Sequence, residues 1–373
     1  MSQRQRVCLC MIVKDECAVI ERCLASVRPL IDCWSIVDTG SSDNTPAMIE
    51  CAMAGIAGRL HHRPWVDFAS NRNESLTLAR QFLASELLAE ASDDYLLLID
   101  ADETLVLPPD FSLPALSADA YEFEHRFAEL RYARTSMIRA ATPWLFRGVL
   151  HEYLEQTGAT AAGLPGPWVY IRPDGARSRN PQKFQEDAAL LERALAAEPE
   201  NIRNWFYLGQ SYRDAGELAQ SLRAYRQRAQ MNGWEEENWY TLFQIARLLE
   251  FLGGEGDLDT VRLAYLAAYR RRPSRAEPLV ELARWHRLRG EFADALVCAR
   301  AAGSMPLSRD RLFVDASAYG WRALDEWSIS AWYCECFEEG FAVIQRLLKA
   351  DPPASDRARI DENLSFYASR GYR

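Results

Sequence analysis

The hydrophobic period changes once along this chain, and that change limits every fold it can adopt. Between residues 7 and 105, short apolar runs alternate with segments of helical spacing; from about Gln182 the helical spacing continues with no strand-like run. "VCLCMI" (7–12) and "CWSIVD" (33–38) read as strands, and "ECAVIERCLASV" (16–27) carries apolar residues at helical intervals. The loop "TGSSDNTP" places Thr45 as N-cap and Pro46 at the first position of a helix reaching about Gly55. A third strand is expected within "RLHHRPW" (59–65), a long helix over Ser70–Ala91, and a fourth strand at Leu96–Ile99. Strand–helix alternation implies an α/β, Rossmann-like domain, with a mostly parallel sheet and helices on both faces. Ligands of such sheets sit at the carboxyl ends of the strands, where Asp15, Asp38 and Asp100 fall. The expected division is residues 1–180 and 181–373.

In the second part, "WFYLGQSY" (205–212) fits the tetratricopeptide pattern at every position, through Trp205, Leu208, Gly209 and Tyr212. Ala194 and Pro199 fall in register before it, and Tyr225 takes the aromatic place in the second helix. Residues 237–273 form another helical pair around a Gly-rich turn, and 282–306 repeat the theme through Leu282, Ala283, Ala295, Ala302 and Pro306. The aromatic stretch from about 310 to 373 reads as an atypical cap. In such an array each hairpin exposes an apolar face that the next one covers.

Composition excludes more than it identifies. The 43 basic against 53 acidic residues give a net charge of −10 with no basic tract, which argues against nucleic acid or an anionic membrane as partner. No segment approaches the length of a membrane span, and the first residues lack the apolar run of a signal peptide. The nine cysteines have no zinc-like C-x-x-C spacing and read as reduced, mostly buried thiols of a cytoplasmic protein.

The sharpest chemical signal is "YLLLIDADETL" (95–105), where an apolar run ends in Asp100, Asp102 and Glu103. Carboxylates this close repel unless something positive lies between them. Acids at strand ends suit a divalent cation, and a cation at an open α/β edge suits a ligand with phosphates. "VCLCMIVKDECAVIERCLASV", "SIVDTGSSDNT", "SNRNESLTLA" and "DDYLLLIDADE" occur in the order and spacing of family 2 nucleotide-diphosphate-sugar glycosyltransferases, which this chain resembles over residues 6–180. With "CMIVKDE", a later "HE" and a tetratricopeptide half, it looks like the group that includes sublancin-type peptide S-glycosyltransferases. The resemblance implies that Asp38 meets the nucleobase, with Glu16 and Asp43 flanking that pocket. It implies that Arg72 and Asn73 face the donor, that Asp102 is the chief ligand of Mn2+ or Mg2+, and that Asp100 touches ribose or metal through water. It also implies His151 as a further metal ligand and Glu152 as general base. The capped-turn reading of Asp38 and Asp43 stays open on the residues alone. Both His151 and Glu152 serve one site only if the backbone turns between them.

"IRPDGARSRNPQ" (171–182) is either a polar linker or a lid whose Arg177 and Ser178 close over the diphosphate. The expected activity is an inverting transfer from a nucleotide-sugar, a UDP-sugar, to a peptide or protein side chain held by the repeats. A glycan or small-molecule acceptor, and a homodimer through the repeats, are further readings. The rival from another class is a tetratricopeptide scaffold with a non-catalytic transferase-like domain. A nucleotidyltransferase is disfavoured because "IVKDECAV" lacks a Gly-rich phosphate loop.

Overall fold

The computed structural model describes residues 5–85, 93–127, 130–253 and 258–372. Two compact units emerge, Met1–Pro199 and Glu200–Arg373, so the division lies C-terminal to the expected 180/181 boundary.

In the first unit the elements run β1 (Val7–Val13), α1 (Ile20–Val27), β2 (Cys33–Asp38), α2 (Thr45–Ala52), β3 (Ala57–His62), α3 (Phe68–Ser85) and β4 (Tyr95–Leu98). Then follow β5 (Glu103–Val106), β6 (Ala120–Phe127), β7 (Leu130–Arg139), β8 (Leu145–Arg147), β9 (Tyr153–Glu155), β10 (Ala161–Ile171), α4 (Ala176–Arg179) and α5 (Lys183–Ala197). One eight-stranded sheet has the order β3-β2-β1-β4-β7-β6-β10-β5, and β8 pairs with β9 in a separate ribbon. The β3-β2-β1-β4 half is parallel as expected. Beyond it the sheet is mixed, because β7 joins β4 antiparallel and forms an antiparallel pair with β6. The long helix begins at Phe68; its expected stretch from 86 to 91 lies outside the described residues.

Alternation along β1 sorts its side chains to two sides of the sheet. Val7, Leu9 and Met11 pack with Ile20, Leu24 and Ile49 of α1 and α2. Cys8 and Cys10 pack with Leu76, Ala79 and Leu83 of α3. Each face is therefore covered, as a parallel sheet requires. All nine cysteines are free thiols. The start of α2 corrects the expected cap: Asn44 is the N-cap, and Asp43 accepts from the Thr45 amide at 2.9 Å. The Thr45 hydroxyl instead accepts from the Glu16 amide at 2.8 Å. Thr45 thus ties the loop after β2 to the loop after β1.

The second unit is helical: α6 (Ile202–Asp214), α7 (Leu218–Ala229), α8 (Glu235–Phe251), α9 (Leu258–Arg271), α10 (Glu277–Leu288), α11 (Phe292–Gly303), α12 (Trp321–Tyr333), α13 (Phe337–Lys349) and α14 (Ala354–Ser369). The expected Gly-rich turn after α8 lies largely outside the described residues, beyond Gly253. Gly209 shows why the repeat pattern demands a small residue. A Cβ there would sit 2.8 Å from the Tyr225 ring, so glycine lets α6 and α7 meet.

The helix-to-helix turns share one device. Gly216, Gly253 and Gly290 have φ of +79°, +81° and +76°, closing α6, α8 and α10 with a left-handed residue. After α12 the same place is taken by Glu335 at φ +59°. A side chain there costs energy that glycine avoids. We expect Glu335→Gly to raise the unfolding free energy by about 1 kcal/mol. Urea denaturation followed by circular dichroism measures this, and an unchanged midpoint would contradict it.

Candidate active site

The carboxyl end of β4 turns at Asp100–Glu103 directly into β5, and this turn holds the three acids. Their carboxylates do not share one environment. Asp100 Oδ1 receives Arg72 Nη2 at 2.7 Å, and its Oδ2 lies 3.7 Å from Arg134 Nη2. Glu103, 3% exposed, receives Arg134 Nη2 at 2.9 Å and the Asp100 amide at 3.0 Å. Among the described residues, no arginine or lysine comes within ion-pair distance of Asp102. Two cations are thus spent on two of the acids, and the third carboxylate is left for something else.

Electrostatics follows the geometry. Burial raises the Asp100 carboxyl, but Arg72 and Arg134 outweigh it and bring the group down to about 2. Asp102 rises to about 6 through burial and the neighbouring Asp100 charge. Burial also pushes Glu103 up against the pull of Arg134. Glu16, in the loop after β1, is raised to about 7, chiefly by burial. Arg72 stays charged because Asp100 and Glu152 together exceed its desolvation cost.

Arg72 also binds a second carboxylate. Its Nε reaches Glu152 Oε1 at 2.5 Å, so one guanidinium joins the β4 turn to the loop between β8 and β9. The backbone does turn at that loop: His151 has φ +51° and Gly148 φ +96°. Glu152 thereby turns inward while His151 is exposed. Asn73 is spent elsewhere, its side chain bonding both the amide (2.7 Å) and the carbonyl (2.9 Å) of Phe146. That pair of hydrogen bonds fixes β8 against α3.

Asp38, 3% exposed, accepts weakly from the Ser41 and Gly40 amides at 3.2 and 3.4 Å and lies 3.4 Å from His62 Nδ1. Asp43 binds the Cys17 amide at 3.1 Å as well as Thr45, which draws its carboxyl down to about 2 despite some desolvation. The capped-turn reading is therefore realised for Asp43, whose acceptors are consumed within the loops.

Residues 172–177 cross the site. Arg22 on α1 donates to Asp174 at 2.8 and 2.9 Å and to the Asp102 carbonyl at 3.3 Å. The Ala176 amide donates to Glu16 Oε2 at 3.0 Å. Gly175 is pressed on Asp102, where a Cβ would fall 2.8 Å from Oδ2. Arg177 bonds Asp187 and lies over the Phe68 ring at 4.5 Å, while Ser178 is exposed. Sequence reasoning missed Arg22, Asp174 and Arg134. Arg134 belongs to no motif; an arginine on a strand among apolar positions was the one available signal.

Among the described residues, no three His, Cys, Asp or Glu side chains are arranged to hold a metal ion. The donor set nonetheless suits a cation completed by its ligand, since Mg2+ is commonly held by one or two carboxylates plus substrate phosphates. Asp102 is such a carboxylate, unpaired and half-buried.

Replacing Arg72 leaves Glu152 without a cation and Asp100 with only the more distant Arg134. We expect Arg72→Met to cost about 3 kcal/mol of stability at pH 7. The sign with pH follows from the depressed Asp100 carboxyl. Its contribution is present above the unfolded value near 4 and is lost as pH falls toward 2. The gap between wild type and variant should therefore narrow over that range in urea titrations. A gap independent of pH would contradict the assignment.

Comparison with known proteins agrees with this architecture. The family model "Glycosyl transferase family 2" matches residues 8–120, which include Glu16, Asp38, Arg72, Asp100 and Asp102 but not His151 or Glu152. The TPR repeat-containing protein Synpcc7942_0270 of Synechococcus elongatus is 30% identical over 319 residues, covering 80% of this chain and 75% of that protein. The cytochrome c-type biogenesis protein CycH of Pseudomonas aeruginosa is 35% identical over 75 residues, 20% of this chain and 18% of that one. Among solved structures, a tetratricopeptide repeat protein from Parabacteroides merdae is similar at TM-score 0.38 and 16% identity, covering 50% of this chain and 68% of that one. MamA from Desulfovibrio magneticus is similar at TM-score 0.36 and 16% identity, covering 45% and 84%. The chain belongs to the tetratricopeptide-repeat protein family of which the Synechococcus relative is a member, and its first unit carries a glycosyl transferase family 2 domain.

Proposed function

We propose that the first unit transfers a sugar, with inversion, from a nucleotide-diphosphate donor to a nucleophilic acceptor. The carrying observation is Asp102: at the end of a buried strand, beside two acids that have their own arginines, it alone keeps a carboxylate free for a ligand. A bound Mn2+ or Mg2+ would supply Lewis-acid stabilisation of the departing nucleoside diphosphate. Asp102 and the donor phosphates would hold it. His151, exposed on the loop between β8 and β9, would be a further ligand.

In this reading the acceptor displaces the diphosphate at the anomeric carbon in one step. The new bond forms as the bond to the leaving oxygen breaks, and the acceptor's proton passes to Glu152. Arg72 holds Glu152 Oε1 and so aims the carboxylate, leaving Oε2 for the proton. Asp38 lies at the end of β2, where the nucleobase would sit, with His62 beside it. A UDP-sugar is the donor class we favour. The repeat unit offers extended helical faces, which favours a peptide or protein acceptor, and the nine free thiols favour a cytoplasmic setting. Among the described residues, no helix is long and apolar enough to cross a membrane.

The scaffold reading draws on the strap over the site, since residues 174–176 engage both Glu16 and Asp102. A panel of nucleotide-sugars, with and without Mn2+, separates the two by thermal stabilisation and donor hydrolysis. Asp102→Ala should remove the Mn2+-dependent stabilisation while leaving circular dichroism unchanged; a metal-responsive Asp102→Ala variant would sink the assignment.

Glu152→Gln tests the base. A carboxamide keeps the shape and can still accept from Arg72 but cannot take up the acceptor's proton. Turnover should fall by ~10²–10⁴-fold while donor affinity stays near wild type. Full turnover of Glu152→Gln on a hydroxyl acceptor would remove Glu152 from the mechanism. A thiol acceptor would show a milder loss at higher pH, because a thiolate needs no base.

A further inference from the structure

The third acid of the β4 turn has no task in the reading above, and its surroundings define one. Glu103 and Asp100 close the turn reciprocally. The Glu103 amide donates to the Asp100 carbonyl at 3.0 Å, and the Asp100 amide donates to Glu103 Oε2 at 3.0 Å. The same Oε2 receives Arg134 from β7 at 2.9 Å. Arg134 stands across from Phe123 on β6, next to the cross-strand pair His125 and Tyr132, whose rings stack at 5.6 Å. His125 and Glu103 are both buried, at 0% and 3% exposure. The carbonyls of the turn are held as well: Asp100 O accepts from Cys23 Sγ at 3.4 Å and Asp102 O from Arg22 at 3.3 Å. Every anchor fixes the backbone on either side of Asp102, and none touches its carboxylate.

We propose that Glu103 is a positioning residue that locks the Asp100–Glu103 turn, with Arg134 compensating its buried charge, and so sets the direction of the Asp102 carboxylate. The inference rests on the reading of Asp102 as the donor-binding acid. Glu103 itself contacts neither donor nor acceptor; it is turned inward and nearly sealed. Two parts of its role can be separated. The hydrogen bond to the Asp100 amide needs only an acceptor oxygen, whereas the charge is needed only because Arg134 is present. Glu103→Gln alone leaves Arg134 with only the more distant Asp100, at 3.7 Å, while Glu103→Gln with Arg134→Met keeps the turn bond and removes both charges together.

The test uses the full chain and three variants: Glu103→Ala, Glu103→Gln/Arg134→Met, and Asp102→Ala. UDP with Mn2+ is the probe, read by calorimetry, and hydrogen exchange of the peptide spanning the turn is read without either. Glu103→Ala should weaken UDP–Mn2+ binding about tenfold, the loss of a partly buried hydrogen bond to the turn. It should also speed exchange at the turn. The double variant should restore both readouts to within about threefold of wild type. Wild-type affinity in Glu103→Ala, beside loss in Asp102→Ala, overturns the proposal. So does a double variant as weak as Glu103→Ala. Failure of the wild type to bind UDP would instead strike the donor reading, and the exchange measurement still decides whether Glu103 holds the turn.

Discussion

A single alternating chain of charges, Glu152–Arg72–Asp100–Arg134–Glu103, underlies the geometry of this site. It links a helix on one face of the sheet, the end of a central strand, a strand from the antiparallel half and the loop between β8 and β9. Each member would be costly alone, since an ion removed from water loses several kcal/mol of hydration. Alternation makes each charge the compensation for its neighbours. Two arginines serve three carboxylates in this chain, and Asp102 lies just outside it.

That exclusion explains how one turn can hold three acids without unfolding and still leave one carboxylate without an arginine. Had a third arginine reached Asp102, the turn would be self-contained and unsuited to a cation. Burial, and after it the charge of the neighbouring acids, raises the Asp102 and Glu16 carboxyls. The strap at 174–176 meets both acids through a backbone amide and a glycine, neither of which carries a formal charge. It covers the acids without neutralising them.

The helical unit depends on a different constraint, close approach of helices. Gly209 against Tyr225 and the left-handed glycines after α6, α8 and α10 allow hairpins to close and stack. Glu335 after α12 and Asp351 after α13 depart from that rule, with φ of +59° and +49°.

Much of this was legible in the residues themselves. Apolar runs bounded by turn signals set β1, β2 and β4, because a strand covered on both faces must be apolar throughout. The Trp205-to-Tyr212 pattern marked the repeats, since helix contact leaves room for few residue types. Asp102 stood out because a buried strand seldom ends in three acids. What the sequence could not show was how charges pair across distance. Arg134 lies 31 residues from Glu103, and Arg72 lies 80 from Glu152. No local period encodes such partners; the mixed half of the sheet brings them together. The same holds for Asp43 and Asn73, polar residues in a suggestive motif whose hydrogen bonds are consumed by nearby backbone. Local chemistry determined which residue types stand at the strand ends, and tertiary packing decided which of them are paired, because charges far apart in sequence meet only when the sheet brings their strands together.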